Sequence, residues 1–166
     1  MTDYIRQKGT AAFGTRLRRL SERLDRQVQA LYREHDSAFQ PRWFAVVIAL
    51  REHDVLSVGE LAARLGITHA AISQLRGELI KAGLVRARPD PADRRRQLLE
   101  LSSAGKRTVA KLQPLWTAIA AATDALCAEV APDLLDALGR IEDAVEAKSL
   151  GARAAEILAA PRSRKA

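Results

Sequence analysis

The residues of this chain that are best suited to chemistry with a partner are clustered between positions 68 and 77. Gln74 can pair with adenine through its amide, and Ser73 can bond to more than one base. His69 can donate to guanine, and Ala70 can contact a thymine methyl group. Along a helix these side chains share one face, which predicts a helix that reads base edges in DNA. The predicted contacts, to bases or to phosphates, come from Thr68, His69, Ala70, Ser73, Gln74 and Arg76.

A second cluster, rich in arginine, lies in a loop at 88–97. Pro89 and Pro91 exclude a helix there and stiffen the loop. Short strands predicted at 84–87 and 98–101 would make it the tip of a β-hairpin. An exposed basic loop beside a recognition helix can reach phosphates or a minor groove, whereas the alternative is a solvated charged tip. The charged residues that we predict to act with DNA here are Arg88, Asp93, Arg94, Arg95 and Arg96.

The two clusters need helices that hold them in place. A helix-turn-helix template fits this part of the chain, with Gly66 as its turn. Ser57 and Glu60 have the spacing of a capping box and would begin the first helix. The second helix would begin after Thr68 and end before Gly83. The template and the helical period predict that the buried side chains are Leu61, Leu65, Ile67, Ile72, Leu75, Leu79 and Ile80, beside the small Ala62.

Several short motifs in this region belong together. The most specific is Asp-Pro-Ala-Asp-Arg-Arg at 90–95, followed by Leu101, Ser102 and, three residues later, Gly105. The run at 61–66, with Ile72-Ser73, Leu79 and Gly83-Leu84-Val85, completes the pattern. The pattern resembles the MarR family of bacterial winged-helix regulators, closely over residues 42–106. The resemblance implies a homodimer, a pseudo-palindromic operator and often a small effector that releases DNA.

The resemblance also implies roles for the charged residues of the loop. Arg95 would probe the minor groove, and Asp93 would hold its guanidinium in place. Arg88, Arg94 and Arg96 would then bind phosphates. Each phosphate contact adds about 0.9 to the dependence of log affinity on log salt concentration.

Long amphipathic helices are predicted on both sides of this region, after a loose polar arm at 1–10. Apolar residues recur every three or four positions from Phe13 to Leu31, again at 109–130, and in one last helix after Pro132. Such stripes favour a two-fold homodimer that covers them; a core contained in one chain is the alternative. The predicted fold is mainly α: an N-terminal dimerisation helix at 1–40, a winged helix-turn-helix with a small β-hairpin at 41–102, and C-terminal dimerisation helices with a basic tail at 103–166.

Composition agrees with an anionic partner, because the chain of 166 residues has a formal net charge of +7. Residues 123–150, however, carry seven acidic and two basic side chains, so this segment should stay away from DNA. The single cysteine, Cys127, excludes an internal disulfide. We see no membrane span, signal peptide, catalytic set, metal site or cofactor motif, and we therefore expect a cytoplasmic protein that is not an enzyme.

Aromatic residues make up only 4% of the chain, so an aromatic cluster is a candidate effector pocket. The residues considered are Phe39, Arg42, Trp43, Phe44 and Trp116, with the arginine as a counter-charge for an anionic ligand; the alternative is that they belong to the ordinary core. The function expected from the sequence is a sequence-specific double-stranded DNA-binding regulator of transcription, a repressor released by a small effector. The alternatives are a winged-helix protein-interaction module, a non-specific architectural DNA binder and a fragment of an enzyme.

Overall fold

A computed structural model of the chain describes residues 3–35, 37–93 and 96–160. These residues form two compact units, of which the first ends at Pro114 and the second begins at Leu115. The predicted mainly helical class is confirmed, and the predicted division at residues 40 and 102 stays a prediction. The elements are α1 (Tyr4–Gln7), α2 (Phe13–Glu34), α3 (Phe44–His53), β1 (Val55–Ser57), α4 (Val58–Leu65), α5 (His69–Lys81), β2 (Val85–Pro89), β3 (Gln97–Leu101), α6 (Ser103–Val130), α7 (Leu134–Ala147) and α8 (Leu150–Ala159), with 3-10 turns at Gly9–Ala12 and Pro41–Trp43.

The predicted loose arm at the N-terminus is wrong for the described residues, which form α1 and a 3-10 turn. The Asp3 carboxylate caps α1 by accepting hydrogen bonds from the backbone N–H groups of Ile5 at 3.1 Å and Arg6 at 3.3 Å. Arg19 of α2 binds the same carboxylate through both terminal nitrogens, at 2.6 and 3.0 Å. These bonds to the charged form, chiefly the one from Arg19, lower the pKa of Asp3 to about 2.

The apolar stripe of α2 divides into two parts. Near its C-terminus, Tyr32 is fully buried and packs edge-to-face on Phe39, with ring centroids 5.2 Å apart. Towards its N-terminus, Phe13, Leu17 and Leu20 remain exposed, as does Leu24. The first unit thus covers only one end of the stripe, and the other end is an apolar surface.

The predicted helix-turn-helix is present as α4 and α5. Ser57 and Glu60 form the capping box, and Gly66 ends α4 with φ +63°. Thr68 caps α5 by accepting from the backbone N–H of Ala71 at 3.2 Å, and Gly83 follows its end with φ +71°. The core between and beneath the two helices includes the buried side chains of Leu61, Ala62, Ile72 and Leu79.

Two of the predicted core residues are wrong, since Ile67 and Ile80 are exposed. Ile67 follows Gly66 in the turn between α4 and α5, where the periodicity of a helix does not apply. Ile80 follows Leu79, and one residue is about 100° around a helix, so both cannot face the same core. Leu65 and Leu75 are half-buried.

The three strands form an antiparallel sheet in the order β1-β3-β2, with β3 in the centre. The central strand contributes Leu99, which is fully buried and opposite Leu56 of β1. The strand β1 is not among the predicted elements, because three residues between two helices show no alternation. The strand predicted at 84–87 ends too early, since Arg88 lies in β2 opposite Leu98.

The second unit contains the end of α6 and the helices α7 and α8. The prediction of one last helix is wrong, because Lys148 has an extended backbone and separates α7 from α8. Ser149 then caps α8 by accepting from the backbone N–H of Ala152 at 3.1 Å. Leu135, Ile141 and other apolar side chains of α7 are exposed.

Candidate nucleic-acid interface

The outward face of α5 carries the side chains that the sequence placed there. Ala70, Ser73, Gln74 and Gly77 are all exposed, whereas the opposite face is anchored by the fully buried Ile72. Small residues alternate with polar ones on this face, so a base edge could approach the helix closely. The predicted contacts of these residues with DNA stay predictions.

His69 lies at the edge of this face, against the first turn of α4. Its Nε2 atom is 3.2 Å from the position that a Cβ atom would take on Gly59, so the glycine makes room for the ring. His69, Ser73 and Arg76 line one side of an open groove of about 570 Å³, and the first turn of α4 lines the other. The groove continues the surface of the recognition helix towards the β-hairpin, because Arg96 and Gln97 also line it.

Gln74 belongs to a small polar network on the same helix. Its Nε2 donates to Oε1 of Glu78 at 3.5 Å. The other oxygen of Glu78 accepts from the indole nitrogen of Trp43 and from Nε of Arg42, each at 2.8 Å. These bonds favour the charged carboxylate, so the pKa of Glu78 lies below its ordinary value, with the Trp43 bond as the largest cause.

Two arginines of β2 share one acid on the neighbouring strand. Nε of Arg86 is 2.9 Å from Oε1 of Glu100, and Nε of Arg88 is 3.7 Å from the same oxygen. The side chain of Arg86 is 67% exposed and that of Arg88 is 45% exposed, so each has room to contact an external anion. Sequence reasoning missed Arg86, although the alternating pattern of 85–89 places it on the same side of the strand as Arg88.

The turn between β2 and β3 is closed by its own backbone. Asp90 N–H donates to the carbonyl of Arg96 at 3.0 Å, and Arg96 N–H donates to the carbonyl of Asp93 at 2.8 Å. The Asp90 carboxylate also accepts from the backbone N–H of Ala92 at 2.9 Å. Two of the predicted contact residues, Arg94 and Arg95, lie outside the described residues. The predicted interaction between Asp93 and the guanidinium of Arg95 therefore lies outside them too.

Arg96 points back from this turn to the start of α4. Its Nη2 donates to Oγ of Ser57 at 3.2 Å and lies 3.5 Å from Oε2 of Glu60. Its Nε is 3.8 Å from Oδ2 of Asp90. The side chain predicted to bind a phosphate therefore contacts three acceptors of the protein itself, while about half of it remains exposed.

The residues considered for an effector pocket include two that are packed in the first unit. Phe39 and Trp43 are buried and meet edge-to-face, with centroids 5.7 Å apart. Phe44 is exposed, and Arg42 pairs with Glu78. Trp116 is buried and belongs to the second unit. The effector pocket stays a prediction.

In the described parts of the chain, no group of three His, Cys, Asp or Glu side chains could hold a metal ion. None of the helices formed by residues 3–35, 37–93 and 96–160 is both long enough and apolar enough to cross a membrane.

Residues 39–96 match the model of the MarR family. The HTH-type transcriptional repressor NicR of Pseudomonas putida is 28% identical over 95 residues, which cover 52% of this chain and 60% of NicR. This chain therefore spans about three fifths of that relative.

Solved structures share the fold. The PcaV transcriptional regulator of Streptomyces coelicolor, solved with its natural ligand, superposes with a TM-score of 0.60 at 27% identity, over 76% of this chain and 91% of PcaV. The regulator MosR of M. tuberculosis, solved with DNA, has a TM-score of 0.67 at 22% identity, over 80% of this chain and 95% of MosR. With the motifs, the helix-turn-helix and the β-hairpin described above, these matches lead to one conclusion: residues 39–96 match the MarR family, within a chain that has the fold of winged helix-turn-helix transcriptional regulators.

Proposed function

We propose that this protein is a homodimeric regulator of transcription that binds a pseudo-palindromic double-stranded DNA site. The observation that carries the proposal is the exposed face of α5, where Ser73 and Gln74 point outward from a helix anchored by Ile72 and Leu79. A helix presented in this way can enter the major groove and read base edges. The protein would act in the cytoplasm, where a bacterial chromosome lies.

The β-hairpin, which we call the wing, would supply the contacts to the DNA backbone. Arg86 and Arg88 are exposed on β2, and the sequence places two further arginines at the tip, at 94 and 95. Contacts to phosphates fix the register of a protein on the duplex without reading its sequence. In this proposal α5 gives specificity and the wing gives most of the salt-dependent affinity.

The exposed stripe of α2 supports a dimer. Leu17, Leu20 and Leu24 are each more than two fifths exposed in the single chain. A continuous apolar surface of this kind along one helix is uncommon in a monomer. A two-fold dimer would present two α5 helices, and helix-turn-helix dimers bind half-sites about one turn of DNA apart or a multiple of it. This spacing requires a site with two half-sites.

Repression is the proposed outcome, because the relative NicR is a repressor. Release by a small effector is part of the proposal, because PcaV was solved with its natural ligand. The candidate residues for that ligand are those of the aromatic cluster, Phe39 and Trp43, with Arg42 beside them. An anionic ligand would have to compete with Glu78 for Arg42.

The first experiment is a selection of duplexes from a random-sequence library by the purified protein, followed by salt titrations on the selected duplex and on a random one. We expect tight binding to a pseudo-palindrome and weaker binding to random DNA. Arg88→Ala should lower the salt slope on both duplexes by about 0.9 for each phosphate contact that is lost. Gln74→Ala should weaken binding to the selected duplex and relax the preference at one base pair in each half-site.

The matched control is Arg140→Ala, which removes an exposed arginine of α7 from the acidic segment. It should leave the salt slope unchanged. Equal affinity for both duplexes would replace the proposal with an architectural DNA binder. Failure to bind either duplex at low salt would reject DNA binding and favour a module that binds another protein.

A further inference from the structure

Arg96 connects three parts of the DNA-binding region. Its backbone closes the turn of the wing, through the bonds with Asp90 and Asp93 described above. Its guanidinium reaches the first turn of α4, where it meets Ser57 and Glu60. One residue therefore joins the wing to the first helix of the helix-turn-helix.

The acceptors at the start of α4 are held in place by bonds that do not involve Arg96. Oε2 of Glu60 accepts from the backbone N–H of Ser57 at 2.7 Å and from its hydroxyl at 2.6 Å. Ser57 itself is buried and belongs to β1, which pairs with the central strand of the sheet. The carboxylate is thus a rigid partner, and the pKa of Glu60 is lowered by its bonds with Ser57 and, to a smaller extent, by the charge of Arg96.

The chemistry of the side chain fits this connection. A guanidinium has five N–H donors in a planar fork, so it can bind several acceptors at fixed angles. Arg96 uses Nη2 towards Ser57 and Glu60, and Nε towards Asp90. A lysine ammonium would keep the charge and could still bind a phosphate, but it could not span the same acceptors.

We propose that Arg96 is a positioning residue, which fixes the wing relative to α4 and α5, and that it is not a phosphate ligand. The expected effect of Arg96 on DNA affinity rests on the proposed DNA-binding function. The distance between the wing and the recognition helix decides whether both can contact one duplex. The positioning role replaces the phosphate role that the family resemblance implies for this residue. The other arginines of the wing keep that role.

The first test needs no DNA. Hydrogen exchange of the Asp90 amide reports on the closure of the wing turn, because that amide donates to the carbonyl of Arg96. Arg96→Lys, Arg96→Ala and Glu60→Gln should each speed this exchange, by about threefold to tenfold for a small network of partly exposed ion pairs. Glutamine keeps the capping box at the start of α4, so Glu60→Gln removes the charge partner without removing the cap.

The matched control is Arg88→Ala, which removes an ion pair inside the wing. The Asp90 amide should exchange in this variant at the rate of the unchanged protein. The double variant of Arg96→Lys and Glu60→Gln should exchange no faster than either single variant, because both break the same connection. An unchanged rate in Glu60→Gln, or additive effects in the double variant, would overturn the proposal.

The second test uses the duplex selected by the unchanged protein. Arg96→Lys and Glu60→Gln should both weaken binding by about threefold to tenfold with the salt slope unchanged. The sign for Glu60→Gln is decisive, because the loss of a negative charge near DNA would strengthen binding if bulk electrostatics alone mattered. Its control is Glu52→Gln, an exposed acid at the end of α3 that lies near Arg51.

Two results would overturn the positioning role. One is a salt slope that falls by about 0.9 in Arg96→Ala and is kept in Arg96→Lys, since this is the behaviour of a phosphate ligand. The other is tighter binding in Glu60→Gln. If the unchanged protein selects no duplex, the proposed function fails, and the exchange experiment still decides whether Arg96 connects the wing to α4.

Discussion

The indole nitrogen of Trp43 donates a 2.8 Å hydrogen bond to Oε2 of Glu78, which lies 35 residues further along the chain. Arg42 donates to the same oxygen. The bond ties the 3-10 turn before α3 to the recognition helix one turn beyond Gln74. The orientation of α5 is therefore linked to a turn that lies outside the helix-turn-helix in the sequence.

The bond between Trp43 and Glu78 should make stability depend on pH in the acid range. The pKa of Glu78 in the folded protein is below the ordinary value of 4.5, so its contribution to stability is complete above that value and is lost as the pH falls through the lowered pKa. Trp43→Phe removes the largest cause of the shift and should flatten this part of the acid dependence. The measurement is urea unfolding at a series of pH values below 6.

Glu78→Gln is the control for this prediction, because an amide keeps hydrogen bonds and cannot titrate. It should remove the whole contribution of Glu78 to the acid dependence, of which Trp43→Phe removes only a part because the bond from Arg42 remains. An acid dependence that is identical in all three proteins would show that Glu78 does not couple folding to protons. The remaining dependence should come from groups such as Glu60, whose pKa is also lowered.

Gly105 should tolerate no side chain. A Cβ atom on this residue would lie 2.0 Å from the carbonyl oxygen of Leu84, and that oxygen also accepts from the backbone N–H of Ser102 at 2.9 Å. Gly105→Ala must therefore displace backbone, and we expect a loss of unfolding free energy of about 1–3 kcal/mol or more. Urea unfolding followed by tryptophan fluorescence measures it.

The control is Gly139→Ala in α7, where no described atom lies within 4 Å of a Cβ position. Alanine is favoured over glycine in a helix by about 1 kcal/mol, so this variant should be slightly more stable. Equal stability of Gly105→Ala and the unchanged protein would contradict the close approach of α6 to Leu84.

Gly77→Ala should change stability and DNA binding in opposite directions. The residue lies on the exposed face of α5, and no described atom would meet its Cβ within 4 Å. Packing within the chain thus does not require a glycine here, although glycine destabilises a helix by about 1 kcal/mol relative to alanine. We expect higher stability together with about tenfold weaker binding, which is a loss of about 1.4 kcal/mol, because the added methyl group would hold the helix away from DNA.

Gly139→Ala is again the control, since it changes a helix of the acidic segment. It should gain stability and keep its affinity for the selected duplex. If Gly77→Ala also keeps its affinity, the backbone of α5 does not approach DNA closely at this point, and the bound face must be rotated towards His69.

Leu20→Lys should separate the proposed dimer. Leu20 is 52% exposed in the middle of the stripe of α2, and a charge there could not be buried against a second copy. We expect monomers at micromolar concentration in sedimentation experiments, with the helical circular dichroism retained. Ile80→Lys, at an exposed apolar residue outside the stripe, should remain dimeric. A dimer that persists in Leu20→Lys would place the interface elsewhere.

The features that the sequence determined by itself are local ones. Ser57 with Glu60, and Thr68 with Ala71, are three residues apart, and a cap of this kind forms wherever the helix begins. Gly66 and Gly83 stand where the backbone has positive φ, which glycine adopts without strain. The outward face of α5 followed from helical periodicity, because the buried and exposed sides differ clearly in composition.

The tertiary structure decided whatever depends on residues far apart in the chain. It made a strand of 55–57 by pairing it with β3, and it left Ile67 and Ile80 in solvent although their type favours burial. It also brought Arg96 to Glu60, and Glu78 to Trp43, across 36 and 35 residues respectively. Residue type and spacing show which side chains can form such bonds, but the packing of the elements selects the partners, because it alone brings distant charges within a few ångströms.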